Sequence, residues 1–398
     1  MRTIPLLLIA LLLVTVSHAQ TLTVEVNAGQ HPRFQTPIFF TLPKALPANS
    51  AWQLVNPVTR RSTPVQLLDN RQAVFMLPDS LTANASISYQ LQPLKKKTAP
   101  AVTIDSKDYG LLLSSHHKPV LFYHTRTSLP PVDSLSLFQR SGFIHPLYSP
   151  NGRVLTDDFP EGHMHQHALF TAWTSTTFRN SFIDFWNQAK DLGTVEHMEV
   201  IKATGGPVMG QLQVKLRHKS KAHGEVLQEI WTINVYPFEH YFLFDLVSEQ
   251  RNTSTDTLYL NKYHYGGLGF RGSREWNPDD KENFKQRWQL LTSEGKKDSA
   301  ANHTHVRWVD ASGTVNKALV GATVLGFPDN FRYPQAIRVH PTMPYFVYSP
   351  VVDGAFSINP GELYRSGYRY YIHDGKVNTN TVNQLLNDLV TPPVVSIR

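Results

Sequence analysis

The stretch from Gln211 to Ser248, QLQVKLRHKSKAHGEVLQEIWTINVYPFEHYFLFDLVS, decides the fold. In its first arm Leu212, Val214 and Leu216 alternate with Gln213, Lys215 and Arg217, the period-two pattern of a strand with one buried face. Gln228 to Tyr236 and Tyr241 to Ser248 read as two further strands, and turn residues at Gly224, Pro237 and Asn252 space them at hairpin intervals. The same alternation runs upstream through VTIDSKDYGLLLSS (102–115) and PVLFYHT (119–125). An antiparallel, mostly β protein follows, and its size favours two large stacked sheets.

Working outward, residues 20–95 form a smaller all-β unit. TLTVEVNAG and ISYQLQPL alternate, and WQLV, VQLL and AVFMLP are short apolar runs between turn residues. The expected organisation is a signal peptide at 1–19, a small sandwich-like domain at 20–95, and a large domain at 96–398 that carries the site. A chain of 398 residues, 41% hydrophobic and 17% charged, has material for both cores. At its end Val382, Leu385, Leu386, Leu389 and Val390 follow helical spacing, with Thr379 or Asn380 as N-cap and Pro392-Pro393 as terminator. Residues 279–291 fit two patterns, a helix with Phe284 and Trp288 on one face or a strand through RWQLLT.

Composition narrows the function classes. The start, Met1-Arg2-Thr3, then IPLLLIALLLVTV, then Ser17-His18-Ala19, is the charged, apolar and small-residue order of a cleavable secretory signal, which implies a periplasmic or extracellular protein. No later apolar run is long enough to span a membrane. With no Cys there is no disulfide, lipid anchor or thiolate ligand. The net charge of +7 is interspersed apart from Lys95-Lys96-Lys97, which reads as a solvated linker between Pro93 and Pro100, so no nucleic-acid partner is expected.

The chemistry concentrates in SGFIHPLYSPNGRVLTDDFPEGHMHQHALFTAWTST (141–176), which holds His145, Asp157, Asp158, Glu161, His163, His165 and His167. If Gly162 to Phe170 is a strand, the last three imidazoles share one face. The outer two Cα atoms would then stand roughly 13 Å apart, too far to reach one ion together. An adjacent His-x-His pair could bind a divalent metal with His264, His340, Asp157 or Glu161 as third ligand. No cofactor is required by the competing reading, in which His163, His165 and His167 exchange protons with a sugar. The bland reading is a row of packed, hydrogen-bonded histidines.

A second cluster is YHYGGLGFRGSREW (263–276). Gly266-Gly267 allow close backbone approach, and Arg271 offers a planar fork for a carboxylate or a hydroxyl pair. His264 joins the catalytic candidates, while Asp158, Trp173, Tyr265, Trp276 and Arg332 are the expected substrate contacts. Trp173, Trp186 and Trp276 are the stacking platforms of an alternative, non-catalytic sugar-binding protein. A phosphate loop is excluded because no Lys-Ser/Thr follows the glycines.

The blocks IHPLYSPNGRVLTDDFP, YHYGGLGFRGSREW, RWVDASG, FPDNFRYPQAIRVHP and MPYFVYSPVVDGAFSINPGELYRSGYRYYIHDG resemble the PmoA-like family of exported bacterial proteins across the mature chain. That family resembles the galactose mutarotase-like superfamily. The resemblance implies a β-supersandwich and carbohydrate substrates, handled by epimerisation, elimination or hydrolysis. His163 and His165 match two positions of the family's His block, whereas Gly162, Met164 and Gln166 replace its frequent Asp, Pro and His. The family's methane oxygenase label does not fit, because the chain offers no membrane span after the signal.

Overall fold

The alternation at 211–248 is realised in long strands. In Gly210–Ser220 buried and half-buried residues alternate without a break, and its register with Gly224–Tyr236 sets Leu212 opposite Ile233 and Val214 opposite Trp231. The structure, a computed structural model, describes residues 22–47 and 50–398, so the signal peptide read at 1–19 lies outside the described residues.

One eight-stranded antiparallel sheet runs in the order Gly193–Thr204, Gly210–Ser220, Gly224–Tyr236, Phe242–Asn252, Leu363–Asp374, Ala318–Gly326, Trp308–Val315, Gln289–Thr292. A second runs Ile337–Val339, Tyr345–Tyr348, Gly267–Arg271, Leu169–Ala172, Ile144–Leu147, Lys118–His124, Gly110–Ser115, Val102–Lys107. The two stack across one core that includes Trp173, Trp231, Phe244, Phe270 and Phe346. Each such side chain removed from water contributes about 1.5–3 kcal/mol. The expected mostly β sandwich of large antiparallel sheets is therefore what forms.

Two hydrogen bonds cross the core and fix which way each strand faces. Tyr348 Oη donates to Val324 O (2.7 Å) and Thr171 Oγ1 donates to Glu229 (2.8 Å). Alternation then turns Phe170, Gly269, Arg271 and Tyr345 to the opposite face of the second sheet. That outer face carries the candidate site.

Glu229 is a carboxylate buried between the sheets, and it accepts from Thr171, His218, Trp231, Ser248 and Gln250. Burial alone would raise its pKa, but the bond to His218 and that ring's charge, then Ser248 and Trp231, hold it below the usual carboxylate value. The core tolerates it because its donors come from both sheets.

The first part of the chain builds a seven-stranded sheet whose edge is Val394–Ile397, the chain's last strand, paired with Thr23–Asn27. The helix Thr379–Val390 precedes that strand. Its cap is Asn378, earlier than either residue expected, with Oδ1 accepting from the amides of Asn380 (3.1 Å) and Thr381 (3.3 Å). Val382, Leu385 and Leu386 face inward, and Asp388 ties the helix to the first sheet through buried Arg33 (2.7 Å). Of the two readings of 279–291 the strand forms, at Gln289–Thr292, and no helix does. Among the described residues no helix is long and apolar enough to cross a membrane.

Candidate functional site

Gly162 to Phe170 is not the strand expected; apart from an isolated bridge between His167 and Asp158, strand pairing begins at Leu169. Phe159 (φ 51°), Gly162 (φ 80°) and Ala168 (φ 54°) adopt left-handed backbone, which a pleated strand cannot hold. Gly162 meets that demand without a Cβ penalty. Two tight turns result, closed by His163 N to Pro160 O (3.0 Å) and Gln166 N to His163 O (2.9 Å).

The turns separate the three imidazoles instead of aligning them. His163 and His165 stay together, ring centres 5.5 Å apart. His167 turns into the protein, fully buried, with Nδ1 2.7 Å from Asp158 Oδ1 and Nε2 2.9 Å from Gln188 Oε1. Both of its nitrogens are engaged, and Asp158, expected as a substrate contact, is its partner.

A third ring joins the pair from the other end of the sheet. His340 lies 5.3 Å from His163 and 5.6 Å from Tyr345, centre to centre. Its Nδ1 accepts from the amide of Met343 (3.0 Å), which assigns its proton to Nε2. The sequence alone offers His340 only as a third metal ligand.

Arg271 completes the group. It ends the strand Gly267–Arg271 on the outer face, fully buried, with Nη1 donating to Gln166 Oε1 (3.0 Å). Among the described residues, its Nε and Nη2 have no partner, and neither has His163 Nδ1. Nε and Nη2 form the side edge of a guanidinium, the geometry that receives two oxygens together. Gln166 is the acceptor that orients this arginine.

Electrostatics follow from burial. His165 is lowered to about 3, first by desolvation and then by the neighbouring His163, His167 and Arg271. His340 is lowered to about 4 by desolvation, then by His163, Arg338 and Arg271. His163 is also lowered, by burial and Arg271. The three rings are thus neutral bases at pH 7. Burial raises Asp157 to about 6 against the pull of Arg274, whose Nη2 lies 3.0 Å away, and of Arg271. Desolvation lowers Arg271 itself to about 10.

Aromatic groups flank the cluster. A Cβ on Gly269 would stand 2.8 Å from Trp186 Cη2, so the glycine makes room for that ring. Trp186 packs on Tyr265 (5.3 Å), whose hydroxyl donates to Asn187 Oδ1 (3.0 Å).

Other expected site residues lie elsewhere. Trp173 and Trp276 are core residues, their indole N–H groups given to Gln250 Oε1 (2.6 Å) and Thr314 O (2.9 Å), so neither offers a ring face to a sugar. Arg332 ties its loop to the 350–355 segment through Pro350 O (2.6 Å) and Gly354 O (2.7 Å). His264 is exposed and packs on Tyr263 (4.1 Å) and Tyr265 (4.7 Å). Glu161 is exposed and meets Asn277 through its backbone oxygen (3.1 Å). Among the described residues no group of three His, Cys, Asp or Glu is arranged to hold a metal ion.

Residues 110–387 match a family of unknown function, DUF6807. No curated protein matches the chain. Among solved structures it is similar to the Slr1438 protein of Synechocystis sp. PCC 6803, at 9% identity and a TM-score of 0.30, over 71% of this chain and 99% of that one. It is also similar to an α-galactosidase of Lactobacillus brevis, at 9% identity and a TM-score of 0.31, over 90% of this chain and 42% of that one. Scores this low do not bear on what the chain does.

Proposed function

The chain belongs to the family of unknown function DUF6807, and from its own residues we propose that it acts on a carbohydrate, moving protons with His163, His165 and His340 while Arg271 holds substrate oxygens. The observation that carries this reading is the meeting of three imidazoles with a buried guanidinium whose Nε–Nη2 edge, like His163 Nδ1, has no partner among the described residues.

A neutral imidazole takes the proton from a hydroxyl or a ring carbon. The charge that develops on oxygen is met by the N–H groups of Arg271. The imidazolium so formed, or a second imidazole that takes up its proton, returns that proton to the departing oxygen in elimination, hydrolysis or ring-opening epimerisation, and to carbon in epimerisation at a C–H. Substrate oxygens carrying negative charge also offset the Arg271 charge that helps depress these histidines, so binding raises them toward the range where they work.

The PmoA-like sequence blocks, and the mutarotase-like superfamily they resemble, support a sugar as the substrate. The signal read at 1–19 supports a substrate met in the periplasm or outside the cell. A purely sugar-binding role has less support, because Trp173, Trp186 and Trp276 are all buried.

The test is incubation of the purified protein with mono- and oligosaccharides, with and without divalent metals, followed by product analysis. Turnover that disappears in His165→Ala while the fold persists is the expected result; turnover retained in that variant overturns the assignment. Metal analysis of protein purified without an affinity tag tests for a divalent ion at the His163–His165 pair.

A further inference from the structure

A cleft of about 660 Å³, within the ordinary range of small-molecule sites, opens beside the strand Leu169–Ala172 and shares no lining residue with the histidine cluster. Its walls come from residues 125–141, 188–197 and 219–221. One of them is Arg140, only 2% exposed.

Arg140 is an unmatched charge. Its Nη2 donates to Thr171 O (2.9 Å) and its guanidinium lies 5.0 Å from the centre of the Phe170 ring, but its Nε and Nη1 have no partner among the described residues. The carboxylates whose charge reaches it, buried Glu229 and half-buried Asp158, are bonded elsewhere, to His218 (2.7 Å) and His167 (2.7 Å). A buried guanidinium with idle N–H groups is costly unless something compensates it.

The rest of the cleft points the same way. Arg126, Lys219 and Lys221 line it with Arg140, against two carboxylates, Asp191 and Glu196. Lys221 pairs with Asp191, and Lys219 lies 3.6 Å from Glu196, so Arg140 and Arg126 are the surplus. His197 is held at Nδ1 by the Tyr123 hydroxyl (3.0 Å), leaving Nε2 as its remaining polar atom. Thr127 and Ser136 add hydroxyl groups.

We infer that this cleft binds a small molecule bearing an oxyanion, a carboxylate or a sulfate, with Arg140 as the buried anchor. The oxyanion accepts from the idle N–H groups, and the cationic rim draws it in. A free inorganic anion and an acidic sugar share this chemistry.

Isothermal titration at low ionic strength with sodium sulfate, D-glucuronate and D-glucose tests the inference. The expected result is binding of sulfate and glucuronate but not glucose, weakened about tenfold or more in Arg140→Met. Thr127→Trp, which fills the cleft from its exposed rim, gives the same loss without touching the buried arginine. Arg271→Met leaves this binding intact, which separates the cleft from the histidine site. Glucuronate tighter than sulfate identifies a sugar acid as the ligand class, and equal affinity identifies the bare oxyanion. No heat from either anion, glucose binding as tightly as glucuronate, or loss confined to Arg271→Met overturns the inference.

Discussion

The rings of His163 and His340 meet edge to face, 5.3 Å apart at 76°, although they come from distant parts of the chain. The contact joins the 159–168 turns to the sheet edge after Ile337–Val339, and with Nδ1 of His340 taken by the Met343 amide, that ring's proton sits on Nε2. His340→Ala is therefore expected to lower turnover about 10²–10⁴-fold, the usual range for a positioned acid or base. Steady-state kinetics beside a thermal melt checks this, and an unchanged kcat removes His340 from the site.

Stability should fall on acidification well before the carboxylates titrate. Burial lowers His145, His197 and His340 to about 4 and His165 to about 3, from 6.5 in the unfolded chain. Between pH 6.5 and about 4 the unfolded chain binds protons that the folded chain refuses, so the stability present above 6.5 drains as pH drops. Asp157, raised from 3.8 to about 6, acts in the opposite direction, but it is one group against four. Calorimetric melts from pH 7 to pH 4 should show a steadily falling Tm; a flat or rising Tm would contradict these burials.

Function and stability are expected to separate at Arg271. Among the described residues its guanidinium has one hydrogen bond, to Gln166, which supports a buried charge with two idle N–H groups. Replacing such a charge with an apolar side chain of similar length removes the cost of keeping it out of water. Arg271→Met should thus melt no lower than the parent while losing turnover. A marked drop in Tm would mean that the guanidinium is a structural brace.

The long sheet was legible because each arm of 211–248 buries one face, and a period of two has only one structural reading. The C-terminal helix was legible for the same reason at a different period. The histidine loop was not, because its reversals depend on left-handed backbone at Phe159 and Ala168, residues whose type carries no such signal. Nor does the indole of Trp173 or Trp276 reveal whether its N–H faces solvent or a buried Gln250 or Thr314. The pairing of Val394–Ile397 with Thr23–Asn27 joins the two ends of the described chain, which no local pattern can announce.

Glu229 should be a strong determinant of stability. Glu229→Leu leaves the donors of His218, Trp231 and Ser248 in the core without their acceptor. Breaking a buried charged network in this way costs about 3–5 kcal/mol. Urea unfolding measures it, and a loss below about 1 kcal/mol, the net value of an ordinary hydrogen bond, would mean that water replaces the carboxylate.

His163 and His167 should give opposite results on alanine substitution. His167 is fully buried and holds Asp158 and Gln188 at once, so His167→Ala opens a cavity and takes from half-buried Asp158 its shorter hydrogen bond, leaving the one from Ser128. About 2–4 kcal/mol of stability should go, with turnover falling only as folded protein is lost. His163 is half-buried and its Nδ1 bonds to nothing among the described residues. His163→Ala should leave the melting curve nearly in place and remove turnover. Melting and turnover measured on both variants decide the matter, because a purely structural histidine row would make His163 cost stability as His167 does.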